Sequence, residues 1–154
     1  MRFTKRAPFP SILVNGFNKW DVTYHGDQVW KEGSTTAGSG FSSGGMVWDQ
    51  DTGFVTVPTS GCYLVNWHPM QTNSDGHTGE QGWRIIKNQP NKVEIDIAAH
   101  HWNGSGGSSL AVSTMTIVLM KGGDRIQVRA HHANLPRIYG SEAHTFLSVH
   151  KLAS

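Results

Sequence analysis

A chain of 154 residues and 16.9 kDa has room for one domain with a substantial core and not for two. Its 18 glycines, six tryptophans and six phenylalanines, with 16% charged residues, exclude both a disordered chain and a helical bundle. A net charge of +2 and a single cysteine exclude a broad nucleic-acid footprint, an intrachain disulfide framework and a Cys-rich zinc motif, and no apolar run reaches the roughly eighteen residues of a spanning helix.

Residues 1–10 stand apart. Arg2, Lys5 and Arg6 carry +3 ahead of the first acid, Asp21, and leave a body of −1. Pro8 and Pro10 hold the segment extended and bar a helix from it. The expectation is a basic arm, with Arg2, Phe3, Lys5 and Arg6 offered to an acidic partner surface. A single domain over residues 11–154 follows. No apolar segment succeeds the first charges, so a secretory leader is not expected.

From there β-period runs alternate with glycine punctuation. Gly33 to Gly45 reads as a Gly/Ser-rich loop, and Asp51-Thr52-Gly53 as a turn. Gly61 to Trp67 is apolar on both faces, with Tyr63, Val65 and Trp67 on one of them. After a loop at Asn73 to Gly82 and a turn at Asn88-Gln89-Pro90-Asn91, Val93, Ile95 and Ile97 alternate with Glu94 and Asp96. That alternation predicts one buried and one wet face. A loop at Asn103 to Ser109 precedes Val112 to Met120, again apolar on both faces. Such runs suit inner strands covered on both sides, by a second sheet or by a neighbouring subunit. Lys121-Gly122-Gly123-Asp124 turns the chain into Ile126, Val128 and Ala130, which alternate with Arg125, Gln127 and Arg129. In the last run Phe146, Ser148 and His150 share a face. Many short strands with such loops predict an all-β sandwich or jelly roll.

The chemistry-bearing residues form no catalytic pattern. Nine histidines include the pairs His100-His101 and His131-His132, but neighbours on a strand point to opposite faces and do not chelate one ion easily. Asp49 with Asp51, and Asp75 with Glu80, match no specific calcium loop. Cys62 sits in an apolar strand, where a thiol behaves as a small hydrophobe. There is no Gly-x-Ser-x-Gly elbow and no phosphate loop. No catalytic residue, metal ligand or cofactor is assigned.

Six segments, in order, resemble a known family. They are Asn15-Gly16-Phe17-Asn18; Trp48-Asp49-Gln50-Asp51-Thr52-Gly53-Phe54-Val55-Thr56-Val57-Pro58; Ser60-Gly61-Cys62-Tyr63-Leu64-Val65; Trp83-Arg84-Ile85-Ile86-Lys87-Asn88; Gly122-Gly123-Asp124-Arg125-Ile126-Gln127-Val128; and His144-Thr145-Phe146-Leu147-Ser148-Val149. Together they look like the complement C1q globular head, a branch of the tumour-necrosis-factor-like jelly rolls. The resemblance implies a ten-stranded jelly roll, a tight homotrimer and no enzyme activity. On its strand pairing, Tyr63, Val65, Trp67, Phe146 and Ser148 are the expected trimer-interface residues. Some members hold calcium near the top of the trimer. A collagen-like stalk ahead of the domain is not expected from the residues before Asn15, and similar folds occur in phage virion proteins.

Two functions follow as expectations. The first is a phage capsid decoration or cement protein, trimeric on the virion surface, with the arm gripping the major capsid protein or another virion protein. The alternative is an extracellular receptor- or carbohydrate-binding trimeric head, a tail-fibre tip or C1q-like lectin module. Trp30 and Trp102, flanked by polar or Gly-rich sequence, are its candidate ligand-loop residues. Neither function involves nucleic acid or a membrane.

Overall fold

Period-two runs rich in β-branched and aromatic residues become strands because such side chains pack well on a pleated surface. The computed structural model describes residues 9–16, 29–36, 40–72, 79–104, 110–130, 137–140 and 144–154. Among the described residues there are fourteen strands and no helix, hence no helix long and apolar enough to cross a membrane. They are β1 (Ser11–Gly16), β2 (Gly33–Ser34), β3 (Phe41–Ser43), β4 (Val47–Asp49), β5 (Phe54–Thr56), β6 (Gly61–His68) and β7 (Met70–Thr72). There follow β8 (Gly79–Asn88), β9 (Ile95–Gly104), β10 (Leu110–Ala111), β11 (Thr114–Met120), β12 (Arg125–Ala130), β13 (Arg137–Ile138) and β14 (Phe146–Ala153).

The ladders are antiparallel. A front sheet of six strands runs β11-β6-β14-β1-β2, with β3 also on β1, and a back sheet of five runs β4-β5-β12-β8-β9. The two short strands β2 and β3 share one side of β1, so the sheets hold one strand more than the resemblance implied. Pro69, with no N–H for a ladder, separates β6 from β7, which belongs to a small sheet of order β10-β7-β13. Spatial neighbours are remote in sequence: β14 lies between β6 and β1, and β12 between β5 and β8. This winding is a jelly roll.

The core fills the space between the sheets. Ile12, Val14, Tyr63, Val65, Trp67, Leu147 and Val149 come from the front sheet; Val55, Trp83, Ile85, Ile126, Val128 and Ala130 come from the back. Trp30 and Trp67 pack with ring centroids 4.6 Å apart, and Trp83 meets Trp67 edge-on at 6.4 Å. Gly33 makes this possible, since a Cβ there would lie 2.3 Å from Val14 and 2.4 Å from Trp30.

The predicted turns form as their chemistry requires. Gly53 takes φ +73°, and the Asp49 carboxylate accepts the backbone N–H groups of Asp51 at 2.9 Å and Thr52 at 3.2 Å. Gly123 takes φ +89°, and Asp124 accepts the N–H of Lys121 at 2.9 Å.

Two sequence expectations need correction. The predicted loops at Gly33 to Gly45, Asn73 to Gly82 and Asn103 to Ser109 partly pair, contributing β2, β3, the start of β8 and the end of β9. Their backbone finds ladder partners despite glycine-rich composition. The buried face expected of Val93, Ile95 and Ile97 is not buried at its start. Val93 is 84% exposed and Ile95 half exposed, and only Ile97 packs on the core. β9 is the edge of the back sheet, and its first residues lie beyond the cover that the other sheet provides.

Candidate assembly face

Alternation gives every strand two faces, and the front sheet covers only one of its own with the back sheet. The edge strand β11 makes this plain. Thr114 and Met120 are buried, whereas Met115, Ile117 and Leu119 are 62%, 63% and 73% exposed. Register carries that outward set across the sheet. Met115 stands opposite Asn66, which pairs with Ser148, which pairs with Leu13; Ile117 leads in the same way through Leu64 and His150 to Ser11. Leu119 stands opposite Cys62, and His68 opposite Phe146, their rings stacked 5.0 Å apart at 17°.

Among the described residues of these strands no permanent charge interrupts this surface. Among β1, β6, β11 and β14 the only Lys, Arg, Asp or Glu is Lys151, and it faces away, with its ammonium 3.1 Å from Thr59 Oγ1. The titratable groups are Cys62, His68 and His150. Partial burial holds both imidazoles below the usual histidine value, and for His68 the charge of nearby His144 pushes the same way. Both shifts favour the neutral imidazole, and the face combines apolar side chains with the uncharged polar groups of Ser11, Asn66 and Ser148. A row of exposed apolar side chains such as Met115, Ile117 and Leu119 is uncommon on a monomer and marks an interaction face.

The expected site residues divide between the two sides of the sheet. Phe146 and Ser148 lie in the outward register, but Ser148 is only 6% exposed and Phe146 half-buried. Tyr63, Val65 and Trp67 do not: all are fully buried in the core of the single chain, so their assignment to an interface is corrected. The strand is the expected one, but the outward positions are its alternate residues Leu64, Asn66 and His68. Cys62 likewise faces outward and is not enclosed in the core. Trp30 is also corrected. It is 0% exposed, packed between Trp48 and Trp67, and offers nothing to a ligand. Its polar and glycine flanks signal a loop, yet the missing Cβ of Gly33 lets the indole into the core. Trp102 belongs to strand β9, opposite Gln81, and not to a loop. Arg2, Phe3, Lys5, Arg6, His131, His132 and Asp75 lie outside the described residues.

The sequence reading placed His150 on one face with Phe146 and Ser148 but missed Leu64, Met115, Ile117, Leu119 and His68. The signal was present in Val112 to Met120 and Gly61 to Trp67, which are apolar on both faces.

Other polar groups are committed to the fold. His100 stacks on Trp83 at 5.8 Å while His101 is exposed, the opposed arrangement expected of neighbours on a strand. Among the described residues no three His, Cys, Asp or Glu side chains gather where an ion could be held. A polar groove on the outer side of the back sheet contains Arg125, Gln127, Arg129, Asn88 and Glu94. There Arg129 grips both oxygens of Glu94 at 2.7 Å, Arg125 donates to Asn88 at 2.8 Å and lies 4.3 Å over the Phe54 ring, and Gln127 donates to the Thr52 carbonyl at 2.7 Å. These contacts pair most of the groove's polar groups with one another, although the Nε of Arg125 is buried without a hydrogen-bond partner.

No protein-family profile and no curated protein sequence matches the chain. Solved structures do. Eiger TNF from S. frugiperda superposes with a TM-score of 0.72 at 20% identity, over 96% of this chain and 94% of that one. Murine APRIL, in a crystal structure at pH 5.0, superposes with a TM-score of 0.69 at 16% identity, over 94% of this chain and 99% of that one. Likeness at this identity is likeness of fold: the chain is a jelly roll of the tumour-necrosis-factor type.

Proposed function

We propose that this chain is the trimeric head of a binding protein, acting by recognition and not by catalysis. One observation carries the reading. The front sheet has an apolar, charge-free face that the chain itself leaves uncovered, with Met115, Ile117 and Leu119 more than half exposed. Burying such a face against further copies is the economical solution, because the gain scales with apolar area removed from water. Jelly rolls of the type this chain resembles assemble in threes, which supports three copies closing into a ring. The partner would be an extracellular receptor or glycan, met by surfaces away from that face. Trp102 is the candidate contact.

The capsid-decoration reading rests on Arg2, Phe3, Lys5 and Arg6, which lie outside the described residues, and neither of the two similar structures named above speaks for it. The binding head therefore takes the lead.

Light scattering of the purified chain at micromolar concentration should give three times 16.9 kDa; a strict monomer would overturn the reading. On a glycan array and a receptor panel, binding that Trp102→Ala abolishes would support recognition. Silence on both, with tight attachment to isolated capsids that is lost on removing residues 1–10, would restore the virion reading.

A further inference from the structure

The uncovered face holds two groups whose charge changes near neutral pH. His150 occupies the middle of the sheet, opposite Leu64 on β6 and Ser11 on β1, with Ile117 next along the row. His68 stacks on Phe146, and its Nδ1 is hydrogen-bonded to the Ser113 hydroxyl. The other titratable or charged groups on the elements packed around them are few. Cys62 on β6 and His144 before β14 share the neighbourhood, and Lys151 points to the far side. Among the described residues no carboxylate faces either imidazole, so an imidazolium formed here has no counter-charge.

We infer that acid opens the assembly: protonation of His68 and His150 drives the protomers apart as pH falls below neutrality. The inference rests on the trimer reading above and adds its regulation. In the free chain both rings keep partial access to water, and a proton can be accommodated. Between protomers that water is displaced by Leu64, Ile117 and their counterparts, and burial disfavours the charged form. The sign follows from linkage. The assembled state binds fewer protons than the free chain, so association is complete above the free-chain histidine value and weakens as pH drops through it. Each histidine kept neutral by assembly changes the association constant by about tenfold per pH unit below that value. Two such residues per protomer, repeated around a ring, make the response steep.

Sedimentation equilibrium between pH 8 and pH 5 tests this on the intact chain. A trimer at pH 8 whose dissociation constant rises by at least about 100-fold at pH 5 is expected. His68→Asn with His150→Asn should be trimeric at both values. A wild-type constant unchanged across the range overturns the switch and leaves the trimer standing; a monomer at pH 8 overturns the assembly itself. Wild-type pH dependence that survives in the double variant also overturns the switch. Should the double variant not fold, imidazole titrations of the wild-type chain by NMR decide the question. If protons and partners compete, raising protein concentration must lower the midpoints of two histidines. Midpoints independent of concentration overturn the inference.

Discussion

Lys87 brings a charge into the protein interior. Its ammonium lies 3.2 Å from the Asp124 carboxylate and donates to the Leu119 carbonyl at 2.7 Å, with both side chains almost wholly enclosed. A buried pair of this kind contributes little relative to an apolar replacement, but removing one partner strands the other. Asp124→Ala should therefore lower unfolding free energy by about 3–5 kcal/mol in urea titrations, more than the loss of a turn residue alone. Gly53 is constrained by geometry instead. At φ +73°, with the Trp30 carbonyl 2.6 Å from where a Cβ would stand, Gly53→Ala should be destabilising by about 1–3 kcal/mol, read as a lower Tm. The sequence shows Asp124 and Gly53 as turn residues, because turn chemistry is local. It does not show the ion pair, since Lys87 is a distant residue on another strand.

The β8–β9 connection is anchored by Glu94, whose carboxylate is forked by Arg129 of β12 and also accepts from Asn88. The hydrogen bond from Arg129 is the main reason the Glu94 carboxyl titrates below its usual range; Asn88 and Arg84 act in the same direction, against a partial burial penalty. A depressed carboxylate contributes stability above its unfolded value, and that contribution is lost as pH falls through the folded one. Because Glu94 is partly exposed, solvent screening keeps the effect small. Glu94→Gln should cost about 1 kcal/mol in urea unfolding at pH 7, and nothing near pH 2, where the carboxyl is protonated in both states. An equal cost at both values would exclude the ionic origin. The alternation of Val93 to Ile97 announces a strand that begins at Ile95, and Glu94 and Asp96 take the wet side, facing arginines of the back sheet. It overstates burial, because Val93 and Ile95 extend past the opposing layer and only Ile97 packs on the core.

For the whole molecule, the two faces of the front sheet predict opposite responses to the same substitution. Ile117→Asp places a charge where the single chain is open to water, so circular dichroism and Tm of the protomer should be unchanged. The trimer dissociation constant should rise by at least about 100-fold, since an unpaired carboxylate would be buried between copies. Val65→Asp places the same charge in the core and should abolish folding. If Ile117→Asp stayed trimeric while Val65→Asp folded as a monomer, the assignment of faces would be reversed.

Sequence alone determined that this chain is made of strands, where its main turns fall, and that two runs are apolar on both sides. These are properties of neighbours along the chain: side chains alternate with a period of two, and glycine and aspartate shape the reversals. The order of its motifs also pointed to the jelly roll, which its likeness to tumour-necrosis-factor-type structures bears out. Only the tertiary structure decided which alternate set of each strand became core. Tyr63, Val65 and Trp67 went inward and Leu64, Asn66 and His68 outward, although both sets obey the same period. The difference lies in the packing of one sheet on another, where Trp30, Trp67 and Trp83 interlock. A period has no sign until a second layer gives it one.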